Sequence, residues 1–213
     1  MATGALARAK FRSGNNGRAL LVRYSDAEVA VPEAAFQFEG FRAWTLSDRF
    51  PQEGRISFID GEVIVDISQE EITTHALVRT EIVRVLASIN VDEEIGLVIG
   101  DGARVVHQSA GVSNIPDTVV VSYASLESGR VAMTPRKDEP EQKIELVGAP
   151  DLVVEIVSDS SVIKDEKKLR AAYHAAGIPE YWLIDARGEA ISFQILSQRR
   201  SKRFVTSKFS IEV

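Results

Sequence analysis

The chain has no cysteine, only two methionines and 7% aromatic residues, and no apolar run long enough to span a bilayer. Without thiols there is neither a disulfide framework nor a thiolate metal site. A membrane helix takes about 20 consecutive apolar residues, and the start, "MATGALARAK", lacks the apolar core of a secretory leader. No membrane partner and a cytoplasmic setting are therefore expected. Proline (7) and glycine (14) are also sparse, while 45% of the 213 residues are hydrophobic. That composition excludes a disordered chain and provides for a sizeable core.

Positive charge is scarce in the centre. Residues 1–24 carry +5 and residues 187–213 carry +4 against −6 for the whole chain, which leaves −15 for residues 25–186. An acidic middle offers no general surface for phosphate but suits a site that gathers metal cations. The basic ends, including "RRSKR" at 199–203, read as solvated tails before they read as phosphate contacts.

There are no internal repeats. "RISFIDGEVIVDI" (55–67) is a β-hairpin by its Asp60-Gly61 turn, with Ile56, Phe58, Val63 and Val65 on one face. Arg55, Ser57, Ile59, Glu62, Ile64 and Asp66 fall on the other. A helix follows, with Ser68 and Glu71 as a capping box and Ile72, Ala76, Ile82, Val83, Leu86 and Ile89 as its apolar stripe. Strands are expected at 95–100, 103–107, 117–122 and 151–158. The polar stretch "LESGRVAMTPRKDEPEQ" between the last two reads as a surface excursion. A second helix over about 162–176 ends at Gly177, and strands at 180–185 and 189–196 complete the pattern. The order predicts an α/β or α+β fold, one mixed β-sheet flanked by helices.

Two strands carry acids at revealing places. "DLVVEIVS" is a continuous apolar run interrupted by Glu155, and "PDTVVV" opens with Asp117. A carboxylate in an apolar setting costs several kcal/mol unless something pairs with it. If the two strands are neighbours, the acids converge where a hard cation would bind, and Mg²⁺ or Mn²⁺ needs only one or two carboxylates when phosphate completes its shell. The competing account pairs Glu155 with a buried Arg or Lys. His75 borders the packed stripe and reads as a satisfied histidine rather than a ligand. Tyr181 and Trp182 read as core, and Ser158, Ser160 and Ser161 have no histidine partner and serve the helix start.

The residues "PD" before an apolar strand, then "PDLVVEIVS", then a polar helix ending "AGIPEYWLID", resemble the Uma-type restriction endonuclease family of the PD-(D/E)XK nuclease superfamily. The resemblance covers residues 45–197 and is most specific over 150–185. It implies a restriction-endonuclease-like core, with 1–40 as an extension, 41–197 as the endonuclease-like domain and 198–213 as a basic C-terminal strand or tail. It also implies a divalent-metal site and hydrolysis of DNA phosphodiesters. Asp117 resembles the first motif acid and Glu155 the second, with the Ile156 carbonyl as a further metal ligand. The lysine expected two residues after the glutamate is Val157 here, and the family pattern supplies one from the next helix, where Asp, Lys and Tyr stand four apart. This chain keeps Asp165 and Tyr173 but has Leu169 between them. Lys168, one step earlier at the rim of the helix face, has a side chain long enough to reach inward in its place, with Asp165 and Tyr173 as accessory groups and Glu62, on the polar face of the hairpin, as a further one. A homodimer with two sites follows by analogy. The alternatives are a catalytically silent nuclease fold acting as a DNA-binding or protein-assembly module, and a metal-dependent hydrolase of RNA or small phosphoesters.

Overall fold

The computed structural model describes residues 6–9, 20–24, 27–136, 139–199 and 203–212. Much of the two basic ends, including 200–202 of "RRSKR", therefore lies outside the described residues. Strands β1 (Leu6–Ala9), β2 (Leu20–Tyr24) and β3 (Ala27–Val31) precede helix α1 (Phe38–Thr45). The expected hairpin forms as β4 (Arg55–Ile59) and β5 (Glu62–Asp66), with Asp60 at φ 50° and Gly61 at φ 76°. Two left-handed residues in a two-residue loop are the type I′ turn that the Asp-Gly pair predicts.

Helix α2 (Leu77–Glu93) is entered through a π-helical stretch, Ile72–Ala76. The capping box is not made: Glu71 receives the Thr74 amide, and Ser68 instead bonds Asp66. The π-helical entry also turns the stripe, so Ile72 is 68% exposed, while Val78, Ile82 and Leu86 meet the sheet. Strands β6 (Gly96–Gly100), β7 (Arg104–His107), β8 (Val112–Asn114) and β9 (Thr118–Ser122) come next, then the short helix α3 (Tyr123–Glu127). The stretch read as a surface excursion contains a β-ribbon, β10 (Val131–Arg136) and β11 (Glu139–Gly148). It sits at a sheet edge with mostly exposed residues, so no apolar alternation marks it. The chain ends with β12 (Leu152–Ile156), a π-helical Lys164–Leu169 running into α4 (Arg170–Ala175), and strands β13 (Glu180–Asp185), β14 (Ala190–Ser197) and β15 (Val205–Glu212).

The fold is mixed α+β, as expected, but its strands make two large sheets rather than one. A seven-stranded sheet runs β1-β5-β4-β8-β7-β11-β10 and a six-stranded one β15-β14-β13-β12-β9-β6, while β2 and β3 pair separately. Residues of both large sheets meet in one core, where Ile59, Ile64 and Val105 join Val119, Val153 and Leu183. The opposite face of the hairpin, Ile56, Phe58, Val63 and Val65, packs with Phe41 and Trp44 of α1. Helix α4 buries Leu169, Ala172, Tyr173 and Ala176, the face its spacing predicts. It closes with a Schellman motif: Gly177, at φ 78°, donates to His174 and Ile178 donates to Tyr173. Among the described residues no helix is long and apolar enough to cross a membrane.

Candidate active site

Strand β9 lies antiparallel to β12 with Thr118 opposite Val154, which sets Asp117 beside Glu155. The backbone ties the two acids further. The Asp117 amide donates to the Val154 carbonyl at 3.1 Å, and the Ile156 amide donates to Asp117 Oδ2 at 2.7 Å. Each acid is 1% exposed. They open onto a cleft of about 1010 Å³ whose walls come from both sheets. The polar face of the hairpin supplies Arg55, Ser57 and Asp66; the π-helical stretch before α2 supplies His75; the one before α4 supplies Lys164 and Asp165.

Asp117 is held by two basic side chains. Arg55 donates from Nη1 to Oδ1 at 2.5 Å, and His75 Nε2 stands 3.4 Å from Oδ2. Around them the side chains close a ring: Arg55 reaches Asp101 at 3.2 Å, Asp101 meets Arg79 at 3.2 Å, and Arg79 meets Glu70 at 2.6 Å. Glu70 then returns to His75 Nδ1 at 2.8 Å. Burial alone would raise the Asp117 carboxyl, but the His75 contact and the Arg55 guanidinium outweigh it and hold the group well below the usual carboxylate range. Burial opposes a charged His75, yet Asp117 and Glu70 raise its pKa.

Glu155 is held differently. Its Oε1 accepts from Asn114 Nδ2 and from the Tyr173 hydroxyl, each at 2.7 Å, and Ser57 fixes the far side of Asn114 at 2.6 Å. Its Oε2 faces the Lys164 ammonium at 3.6 Å. Burial is the largest influence on this carboxyl and pushes it up to about 8; Asp165 and Asp117 add to the rise, and Lys164 offsets part of it. The Lys164 ammonium also pairs with Asp165 Oδ1 at 2.9 Å, and this ion pair is the close charged contact of that buried carboxylate. Burial likewise raises Asp165, whereas burial alone would lower Lys164 and its two acid neighbours outweigh that. Lys164 is thus held in its charged form while Glu155 is pushed toward its protonated one.

Asp117, Glu155, Asp165 and Tyr173 are thus brought together, and Ile156 meets Asp117 through its amide. Lys168 and Glu62 are not part of this group: they form an ion pair with one another and neither lines the cleft. The lysine at the acids is Lys164, the first residue of the π-helical stretch, which sequence reasoning did not consider because the resemblance directed attention to the middle of the helix. Arg55, Glu70, Arg79, Asp101 and Asn114 were missed as well. The one signal in the sequence was the polar face of the hairpin, on which Arg55 was placed. Lys168→Ala is expected to leave metal binding and any cleavage within about twofold of the native chain, since the pair it removes, 20% and 13% exposed, lies outside the cleft that holds the two acids. A calorimetric titration and a plasmid assay of that variant check this.

No group of three or more His, Asp or Glu side chains among the described residues forms a ready metal cage. The donors still fit a hard divalent cation: two convergent carboxylates suffice when water and phosphate fill the shell, and the buried Asp165 carboxylate stands beside them with no hydrogen bond of full geometry from a described residue.

A family model described as "Uma2: Putative restriction endonuclease" matches residues 38–208. The chain belongs to the Uma2 family. The Uma2 match spans Arg55 to Tyr173 and so takes in the whole site. A similar solved structure is titled "a putative nuclease belonging to DUF820 from Anabaena variabilis ATCC 29413", at 18% identity over 81% of this chain and 83% of that one, with a TM-score of 0.55. At that identity the likeness shows the fold, which is nuclease-like. No curated protein matches the sequence.

Proposed function

We propose that this Uma2 protein is a metal-dependent endonuclease that hydrolyses DNA phosphodiester bonds. The observation that carries the reading is the convergence of Asp117 and Glu155 from adjacent strands on one cleft, with the Lys164 ammonium 3.6 Å from the second acid. Asp117, Glu155 and the Ile156 carbonyl would hold Mg²⁺ or Mn²⁺, which supplies a Lewis acid for the phosphate and lowers the pKa of bound water. The chain's own groups do the positioning. Asn114 and Tyr173 fix one oxygen of Glu155 and leave the other, 3.6 Å from the Lys164 ammonium, without a hydrogen bond from a described residue. Lys164, charged and 7% exposed, orients the attacking water or meets the negative charge on the phosphoryl oxygens in the transition state. Cutting both strands of a duplex takes two such sites, which a homodimer supplies.

One observation favours a silent nuclease fold instead: both oxygens of Asp117 are already engaged, by Arg55 and by the Ile156 amide. Calorimetry with Mn²⁺ on the native protein and on Asp117→Asn, followed by plasmid cleavage in the same buffer, separates the two. The nuclease reading expects binding and cleavage by the native chain. It expects a loss of at least about 100-fold in the variant, more than the roughly 10–100-fold that outer partners of a metal cost. A native chain that neither binds Mn²⁺ nor cuts DNA means that the fold has been kept and the chemistry lost.

A further inference from the structure

We propose that Arg55 is the phosphate-binding residue of this site and that, in the metal-free chain, it is parked on the first acid. The proposal rests on the nuclease reading above and adds to it the group that recognises the diester.

Among the described residues lining the cleft, eight are acidic and three are Arg or Lys. Such a wall repels a nucleic-acid strand, so a fixed cation aimed at phosphate has to come from those three. Arg187 is committed elsewhere, bound by Asp185 at both ends of its guanidinium and by Asp159 at 2.9 Å. Lys164 is buried between Glu155 and Asp165. Arg55 is different. Its side chain is 30% exposed whereas its partner Asp117 is 1% exposed, so the guanidinium forms the solvent side of the buried acid. That is the side from which a cation and a diester must approach.

A guanidinium cannot shed its charge, and a divalent ion on Asp117 would face it at close range. Arg55 must then turn away rather than titrate. A second berth already exists. Arg55 Nη2 reaches Asp101 Oδ1 at 3.2 Å, and Asp101 is fixed from several directions. Its amide bonds the Asp117 carbonyl at 2.9 Å, its carboxylate takes the Gly102 amide at 2.8 Å, and Arg79 holds its other oxygen at 3.2 Å. Asp101 holds this place in a left-handed turn, at φ 57° with Gly102 at φ 81°. Pivoting on Asp101, Arg55 frees the Nη1 edge that now bonds Asp117, and a planar guanidinium edge matches two oxygens of a phosphate diester.

Arg55→Gln and Arg55→Lys test this with two readouts that do not depend on turnover. The first is Mn²⁺ affinity of the metal-free protein by calorimetry; the second is binding of a short duplex in Ca²⁺ by fluorescence anisotropy. Arg55→Gln is expected to bind Mn²⁺ roughly tenfold tighter, the neighbouring-charge effect that moves a carboxyl by about 1–3 pKa units. It should bind the duplex roughly tenfold more weakly. Arg55→Lys, which keeps the charge but loses the fork, should match the native chain for Mn²⁺ and fall short for the duplex. Melting temperatures confirm that both variants are folded. Unchanged duplex binding in a folded Arg55→Gln overturns the proposal, whatever happens to the metal. So does weaker Mn²⁺ binding, which would make Arg55 a brace for Asp117. In either case a native chain that binds Mn²⁺ leaves the metal-site reading standing; a native chain that binds none removes both.

Discussion

Glu155→Gln is expected to abolish Mn²⁺ binding and DNA cleavage while leaving the metal-free protein at least as stable as the native chain at pH 8. The amide keeps the shape that Asn114 and Tyr173 grip, and it carries no charge to bury. The sign of the pH effect follows from the direction of the shift. The folded-state carboxyl is raised from 4.5 to about 8, so between those values the folded chain holds a proton that the unfolded chain has lost. The Glu155 contribution to stability therefore falls as pH rises through that window, and the variant should show a flatter profile there. Melting curves of both proteins from pH 5 to 9 measure it. The same proton must leave when a cation is bound, so the native heat of Mn²⁺ binding at pH 7 should vary with the ionisation enthalpy of the buffer. A buffer-independent heat, or a variant that still binds Mn²⁺, would remove Glu155 from the metal site.

Lys164→Met is expected to have the other large effect. It strips the cation from two acids that are each 1% exposed, and breaking a buried pair costs about 3–5 kcal/mol. The deficit should be largest at pH 9 and shrink toward pH 6, because the stranded carboxyls escape by taking up protons. Denaturant unfolding at the two pH values checks it. Where the variant is folded, single-turnover cleavage should fall by roughly 10²–10³, the usual cost of one preorganised donor. Lys164→Arg keeps a charge and should recover most of the stability. It should recover little of the cleavage, because a planar fork does not reproduce an ammonium point charge. Full cleavage by a folded Lys164→Met would return the question to Lys168.

The sequence showed the acids because a strand that buries both faces has no ordinary use for a charge, and Glu155 interrupts such a run. The hairpin turn, the buried face of α4 and Gly177 were legible for the same reason: local backbone geometry dictates those residues. Three things were not. The ribbon of β10 and β11 lies at an edge, so its solvated side chains look like a loop. The ring through Arg55, Asp101, Arg79, Glu70 and His75 joins elements far apart in the chain, and no periodicity records such pairs. Lys164 was passed over because it stands at the very start of a helix, ahead of the positions the resemblance singled out, and that helix does not begin as an α-helix.

That last feature sets how the protein tolerates length changes. The stretches Ile72–Ala76 and Lys164–Leu169 each carry one residue more than an α-helical turn accommodates, and each delivers side chains to the cleft: His75 from the first, Lys164 and Asp165 from the second. Removing a single residue from either would let the segment relax into ordinary α-helix and would rotate its site residues by about 100° away from the acids. A one-residue deletion there would thus yield a folded chain that has lost the geometry of its cleft, whereas a deletion in an exposed loop would leave that geometry in place.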